Sequence, residues 1–586
     1  MLLRKYSSRS AQEIFGIINE HFNFFELAEK EQLFKLISSV FDEICDSDRI
    51  NLIKKIMDES DKPYENPITE DQLRTYYYNK YNILIWIQNN CRKTEEVKSA
   101  IKKIKENYPY FLPREHPELS FGPASFKWGS KSPIKMQELN SLSGKEAYLY
   151  IKDFKETNSF DGPDRHGLLL TLKEVCSRDF NWGLEYLKEI IANSDLTEDI
   201  WDYSLSGLAA SALNEKRIID VIECLSEEVI EKRARYIAYF LYVSIKSGFE
   251  DKEKKESFIL YIVKKVRKLW KYRCDTINTG CDYFQMSLNT TTGCLTFVLM
   301  MLIENPNPRK GIPIWLDDII NDVIDKSPNI EEYVCVICGY TGLLFYIDSG
   351  WTKTHVFSYL TNSDTRLKIA AWQGFLQMVK NFNVELGTAL LPIFKQQFDI
   401  RKEMSEELRH SFIHDYVLLF THIEENPYIK YVSDLIADGS IEDKVVFASS
   451  ISTILENMEQ GARNELWNKW LKDYWSLRNK NIPVKLEDEE YSEMIFWPFY
   501  FEQYTDAVNL AVKCNAKVLT LMKLCHHLSE LDVINKYPDQ TAGYLVSIIK
   551  KSEIHKPDYI TAEVVAKLKE SVSNQKIIED LETAFD

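Results

Sequence analysis

Hydrophobic positions recur at three- and four-residue steps through most of the chain, the spacing that gathers them on one face of a helix. Residues 330–380 show the unit. Val334, Ile337, Cys338, Thr341, Leu344 and Phe345 form one face; Asp348-Ser349-Gly350 breaks it, Trp351 reopens it, and Val356, Phe357 and Leu360 form a second, shorter one. Asn362 and Asp364 stop that face, and Ile369, Trp372, Phe375, Leu376 and Val379 make a third. The pattern predicts three stacked helices, with no catalytic motif among them.

Taken from the N-terminus, residues 11–60 carry the same periodicity through Ile14, Ile17, Ile18 and Phe22, then Leu33, Leu36, Ile37, Val40 and Ile44, then Ile50, Ile53, Ile56 and Met57. After two prolines it resumes over Asp71–Asn90, where Tyr76, Tyr77, Tyr78, Tyr81 and Trp86 suit a helix–helix seam better than base stacking. Residues 108–143 read differently, with Pro109, Pro113, Pro117, Pro123 and Pro133 set among Phe111, Phe121, Phe126 and Trp128. A flexible linker would be rich in glycine, serine or charge, whereas these rings require burial, so an ordered connector and the main domain boundary are expected here.

Beyond it helices are expected from Gly144–Phe154 onward, among them Ile230–Ser247, Ser257–Tyr272, Glu385–Phe398, Glu406–Thr421, Lys444–Met458 and Arg463–Asn479. Glu487–Glu490 reads as a short acidic break, followed by Ser492–Cys514, Leu519–Ser529, Thr541–Ile549 and a polar capping helix over Ala562–Asp580. Paired helices of about 12–18 residues without a strict period predict an all-α chain. The expected architecture is a HEAT-like helical-repeat solenoid over 144–586, joined by the 108–143 connector to a smaller N-terminal helical domain at 1–107.

Composition sharpens this picture. A chain of 586 residues exceeds what one hydrophobic core serves, and only 20 glycines and 18 prolines leave little room for the turns of many short strands. The net charge of −17 repels nucleic acid and anionic membranes at long range. Eleven cysteines, an odd number without framework spacing, read as reduced thiols of a cytoplasmic protein. The most apolar run, Gly293–Ile303, falls short of the roughly 20 residues that span a bilayer, so a buried helix and no membrane association are expected.

Candidate chemistry is sparse. His410 and His414 share a helix face as two metal ligands would, with Glu406 or Glu407 one turn before, but the glutamate of a zinc-protease helix is missing between them. Cys335 and Cys338 have CxxC spacing with apolar residues between, which reads as a core face, and Cys274 and Cys281 have no metal-site spacing. Lys264, Lys265, Arg267, Lys268, Lys271 and Arg273 surround Trp270 and Tyr272. They form either a nucleic-acid or phosphate site or, as an acidic chain favours, a solvated helix end whose cations complement the helix dipole. Trp467, Trp470 and Tyr474 share a face and predict an inter-helix seam. Phosphate-binding, dinucleotide and nucleophile-elbow motifs are missing, so neither catalysis nor a cofactor is expected.

The segments Leu343–Trp351, Ala371–Leu376, Leu390–Phe394 and Leu466–Trp475, with His116–Phe121, Trp128–Pro133 and Phe160–Pro163, resemble the helical C-terminal regions of bacterial anti-phage defence proteins. Such regions follow sirtuin-like or STAND NTPase domains, and the likeness runs from about Glu115 to Ile549 through packing and turn residues. It implies a non-catalytic sensor or scaffold that binds a phage component or an effector subunit. The nucleotide loop of sirtuins is missing from these residues, so the chemistry would belong to an effector encoded elsewhere or preceding this sequence.

Overall fold

The computed structural model describes residues 10–21, 30–58, 70–114, 117, 130–155, 163–195, 197–211, 214–247, 255–273, 282–304, 311–519, 521–552 and 558–584. Every regular element among them is a helix. Packing divides the chain into two compact units, 1–207 and 208–586. The connector at 108–143, expected to hold the domain boundary, lies inside the first unit, and its Phe121, Phe126 and Trp128 lie outside the described residues, as do Cys274 and Cys281.

In the first unit, helices Ala11–His21, Lys30–Val40, Asp46–Met57, Glu70–Asn90 and Glu95–Asn107 enclose a core that includes Ile18, Ile37, Phe41, Ile56, Leu84 and Ile104. The tyrosine stripe belongs to this packing. Tyr76, Tyr78 and Tyr81 are buried; Tyr76 Oη donates to Asp58 O at 2.6 Å and Tyr78 Oη to Leu112 O at 3.0 Å. Phe111 of the connector is buried too, stacked on Tyr108 at 4.8 Å and edge-on to Tyr78 at 5.0 Å. The connector's far end is pinned as well, since Asp164 N donates to Lys131 O at 2.9 Å and Asp164 caps the Arg165–Arg178 helix.

The second unit is a file of helices, each packed on the next. Glu227–Lys246 lies against Thr291–Ile303, and that helix against Glu331–Gly339. Thr365–Met378, Glu406–Ile423, Ile441–Asn457 and Asp488–Met494 continue the sequence, while Glu256–Trp270 packs on Thr291–Ile303 and Val384–Gln396 on Glu406–Ile423. Thr291–Ile303, which holds the most apolar run, has all but Met301 buried. No helix among the described residues is long and apolar enough to cross a membrane.

The three helices expected over 330–380 are divided further. The first breaks at Tyr340, where φ −93° and ψ 13° leave the helical region, giving Glu331–Gly339 and Thr341–Ile347; the second parts into Ser349–His355 and Phe357–Leu360. Asp348 and Asp364, expected as stops, are helix starts: their carboxylates accept from Trp351 N and Arg366 N, both at 2.9 Å. Glu331–Gly339 and Thr365–Met378 meet backbone to backbone. A Cβ on Gly374 would lie 1.7 Å from the Cys335 carbonyl oxygen, so only glycine allows this approach.

Two further expectations change near the C-terminus. Ser492–Cys514 is not one helix, because Pro498 lacks an N–H and opens a short 3-10 turn, Trp497–Tyr500, between Asp488–Met494 and Tyr504–Val512. Glu487–Glu490 is not a break but the start of a helix, and Glu490 is fully buried. Its carboxylate takes Arg478 Nε at 2.8 Å and Nη2 at 2.7 Å, while Arg478 Nη1 donates to Val484 O at 2.6 Å and Nη2 to Lys485 O at 3.1 Å. The capping segment likewise parts at Val572–Asn574 into Tyr559–Ser571 and Gln575–Glu582.

Gly374→Ala is expected to destabilise the protein by about 3 kcal/mol through forced separation of two helices. Gly342→Ala, in a helix with nothing within 4 Å of the added carbon, should be neutral or gain up to about 1 kcal/mol; chemical denaturation of both variants checks the contrast. Glu490→Leu should cost about 3–5 kcal/mol by stranding the Arg478 charge. Adding Arg478→Met should then cost less than the sum of the single changes, which a double-mutant cycle reads directly.

Candidate functional site

The basic stretch 264–273 forms the end of Glu256–Trp270, and three of its six cations pair with neighbouring carboxylates. Lys265 Nζ lies 3.0 Å from Glu223, Arg267 lies 3.5 Å from Asp322, and Lys268 pairs with Glu227. Arg273 Nη2 donates to Pro328 O at 2.9 Å. Hydrogen bonds from Tyr261 and Lys265, with the charge of Lys264, hold Glu223 below the usual carboxylate range. Lys268 and Tyr272, with the charge of Lys271, do the same for Glu227. Trp270 is buried, its indole N–H donating to Ser327 at 3.2 Å, and so offers no ring face to a base.

Cys335 and Cys338 lie in the core, where burial pushes both thiols above their ordinary range, away from the thiolate that binds metal or reacts. Trp467, Trp470 and Tyr474 are buried as an inter-helix seam, in a segment that passes through a π-helical turn at Trp467–Leu471.

His410 and His414 project from Glu406–Ile423 but have different partners. His410 Nε2 lies 3.0 Å from Glu442 Oε1, and His414 Nδ1 lies 3.2 Å from Ser450 Oγ. Burial, with a smaller push from Lys380, lowers the His414 pKa. Among the described residues, the group that could hold a cation is Glu406, His410 and Glu442. Glu442 was not legible as a partner of His410, being 32 residues away on the next helix.

A cleft of about 870 Å³ opens between Thr365–Met378, the start of Glu406–Ile423 and the short helix Tyr283–Ser287 with its capping Asp282. Asp282, Arg366, Gln373, Gln377, Lys380, Glu403, Glu407 and Ser411 supply charges of both signs and neutral donors and acceptors. Several are fixed by the fold: Gln373 Oε1 accepts from Tyr283 N at 2.8 Å, and Arg366 is 3.3 Å from both Asp364 and the buried Glu331. A second cleft, about 490 Å³, is lined by Ser449, Ser452, Thr453 and Glu456 from Ile441–Asn457, with Glu493, Phe496, Tyr500, Lys523, His526 and His527. The stripe at 449, 452, 453 and 456, a polar row at helical spacing, is the sequence signal that could have revealed it.

No family model matches the chain, and no curated protein or solved structure does either.

Asp415, half-buried on the same helix as His414, has its carboxyl pushed up to about 7, burial outweighing the opposing pull of Lys380. The fold thus favours the protonated form, and the stability this group contributes is present below about pH 4 and lost as pH rises through 7. Asp415→Asn, neutral throughout, is expected to match wild type near pH 4 and to melt about 1–3 °C higher at pH 8, as calorimetric scans at both pH values would show.

Proposed function

We propose that this protein is a non-catalytic helical-repeat scaffold or sensor that binds a protein partner through its polar clefts, one beside Thr365–Met378 and one beside Ile441–Asn457. The carrying observation is the 870 Å³ cleft, whose mixed lining is held in place by the fold before any partner arrives. Helices each packed on the next support reading the chain as a degenerate HEAT-like solenoid, an architecture that leaves a continuous surface for recognition. The resemblance to sensor regions of bacterial anti-phage proteins supplies the biological setting: a cytoplasmic protein, binding a phage component or an effector subunit that performs the chemistry.

The alternative, nucleic-acid binding by Lys264–Arg273, is less favoured because Glu223, Glu227 and Asp322 already pair with that helix.

The test is affinity capture from phage-infected and uninfected bacterial lysates with and without nuclease treatment, using the wild-type chain and two variants. The double variant Gln377→Arg/Ser411→Arg, which crowds the cleft at half-exposed positions, should keep the wild-type melting temperature and lose the captured protein at least tenfold. Neutralising Lys264, Arg267 and Lys271 to Gln should leave capture unchanged. Recovery of nuclease-sensitive material only, abolished by the lysine and arginine changes, would favour the alternative instead.

A further inference from the structure

Beyond partner binding, the structure assigns a divalent-cation site to Glu406, His410 and Glu442. Glu406 and His410 stand four residues apart on one helix face, and Glu442 reaches across from the first turn of Ile441–Asn457. One ligand atom from each lies within 4.8 Å of the other two. His410 Nε2 and Glu442 Oε1 are already 3.0 Å apart, so a cation entering there replaces the shared proton. Two carboxylates and one imidazole, with further positions open to water, form a ligand set that Zn²⁺ and related borderline metals accept.

The surroundings explain how the site tolerates an arginine. Arg409 pairs with the other oxygen of Glu442, and its charge opposes a cation at that carboxylate. Yet Arg409 Nε also faces Asp443 Oδ1 at 3.7 Å. Both atoms are buried and neither has a hydrogen-bond partner, an arrangement that is costly if permanent. Asp443 Oδ2 is fully engaged, taking Arg401 Nε at 3.0 Å and Ser440 N at 3.0 Å, so Oδ1 is the acceptor left over. A cation that takes Glu442 releases Arg409 to close on Asp443 Oδ1, and one arginine–carboxylate pair is exchanged for another with no guanidinium left stranded. His414 has no part in the site, since it is turned to Ser450.

The test is titration of chelator-treated full-length protein with Zn²⁺ against a competing fluorescent chelator, in a Cys45→Ser background that removes an exposed thiol. The expected result is one site, weakened about 100-fold by His410→Ala and by Glu442→Gln, variants at half-exposed positions whose folding circular dichroism verifies. Arg409→Gln, which removes the competing cation, should tighten binding about fivefold, an effect that a merely structural role for the cluster does not produce. Co²⁺ in place of Zn²⁺ should give visible absorption bands that His410→Ala abolishes. Equal affinity in wild type and His410→Ala, or no binding at all, overturns the assignment; unchanged affinity in Arg409→Gln overturns the arginine exchange.

Discussion

The second unit depends on the crossing of Glu331–Gly339 with Thr365–Met378. At Gly374 two helix backbones approach so closely that no side chain fits between Gly374 and the Cys335 carbonyl. Gly339 on the other helix instead makes room for the Met378 side chain. This approach buries Cys335, Cys338 and Trp372 together, and the Trp372 ring lies 4.8 Å from both Phe394 and Phe412. It thereby sets where Glu406–Ile423 lies and how the cleft between that helix and Thr365–Met378 opens. A contact between backbones, with no rotamer to relax, transmits position more rigidly than a contact between flexible side chains.

Farther along the file, buried charge takes over the same task. Arg401 reaches Asp443 at 3.0 Å and the Asp438 carbonyl at 3.3 Å, tying a 3-10 turn to the start of Ile441–Asn457. Arg478 likewise binds Glu490 and the carbonyls of the 482–485 turn. A guanidinium has five donors, so each arginine satisfies loop carbonyls that no helix could reach. Each pair ties a connecting segment to a helix of the file, Arg401 to Ile441–Asn457 and Arg478 to Asp488–Met494.

Much of the helical architecture was legible. Apolar spacing located the cores of most helices, the buried run at 293–303, the tyrosine stripe and the 467–474 seam, because each reflects burial that periodicity records directly. Junctions were misread where one residue type serves two roles. Asp348 and Asp364 look like breakers and act as caps, and Glu490 looks solvated because its partner Arg478 lies in the preceding helix, beyond a turn. The site was legible only in part. His410 stood out, but Glu442 and Ser450, which decide the separate fates of the two histidines, come from the next helix and have no local signature. The cleft residues Gln373, Gln377 and Ser411 are unremarkable singly and gain meaning only when two helices align them.

Carbodiimide footprinting of carboxylates, with and without the captured protein partner, shows which surface the partner covers. Partner binding at the two clefts predicts that labelling of their Glu403, Glu407 and Glu456 falls several-fold while Glu223, Glu227 and Asp322 beside the basic helix keep their reactivity. Protection of Glu223, Glu227 and Asp322 with Glu403, Glu407 and Glu456 unchanged would contradict it.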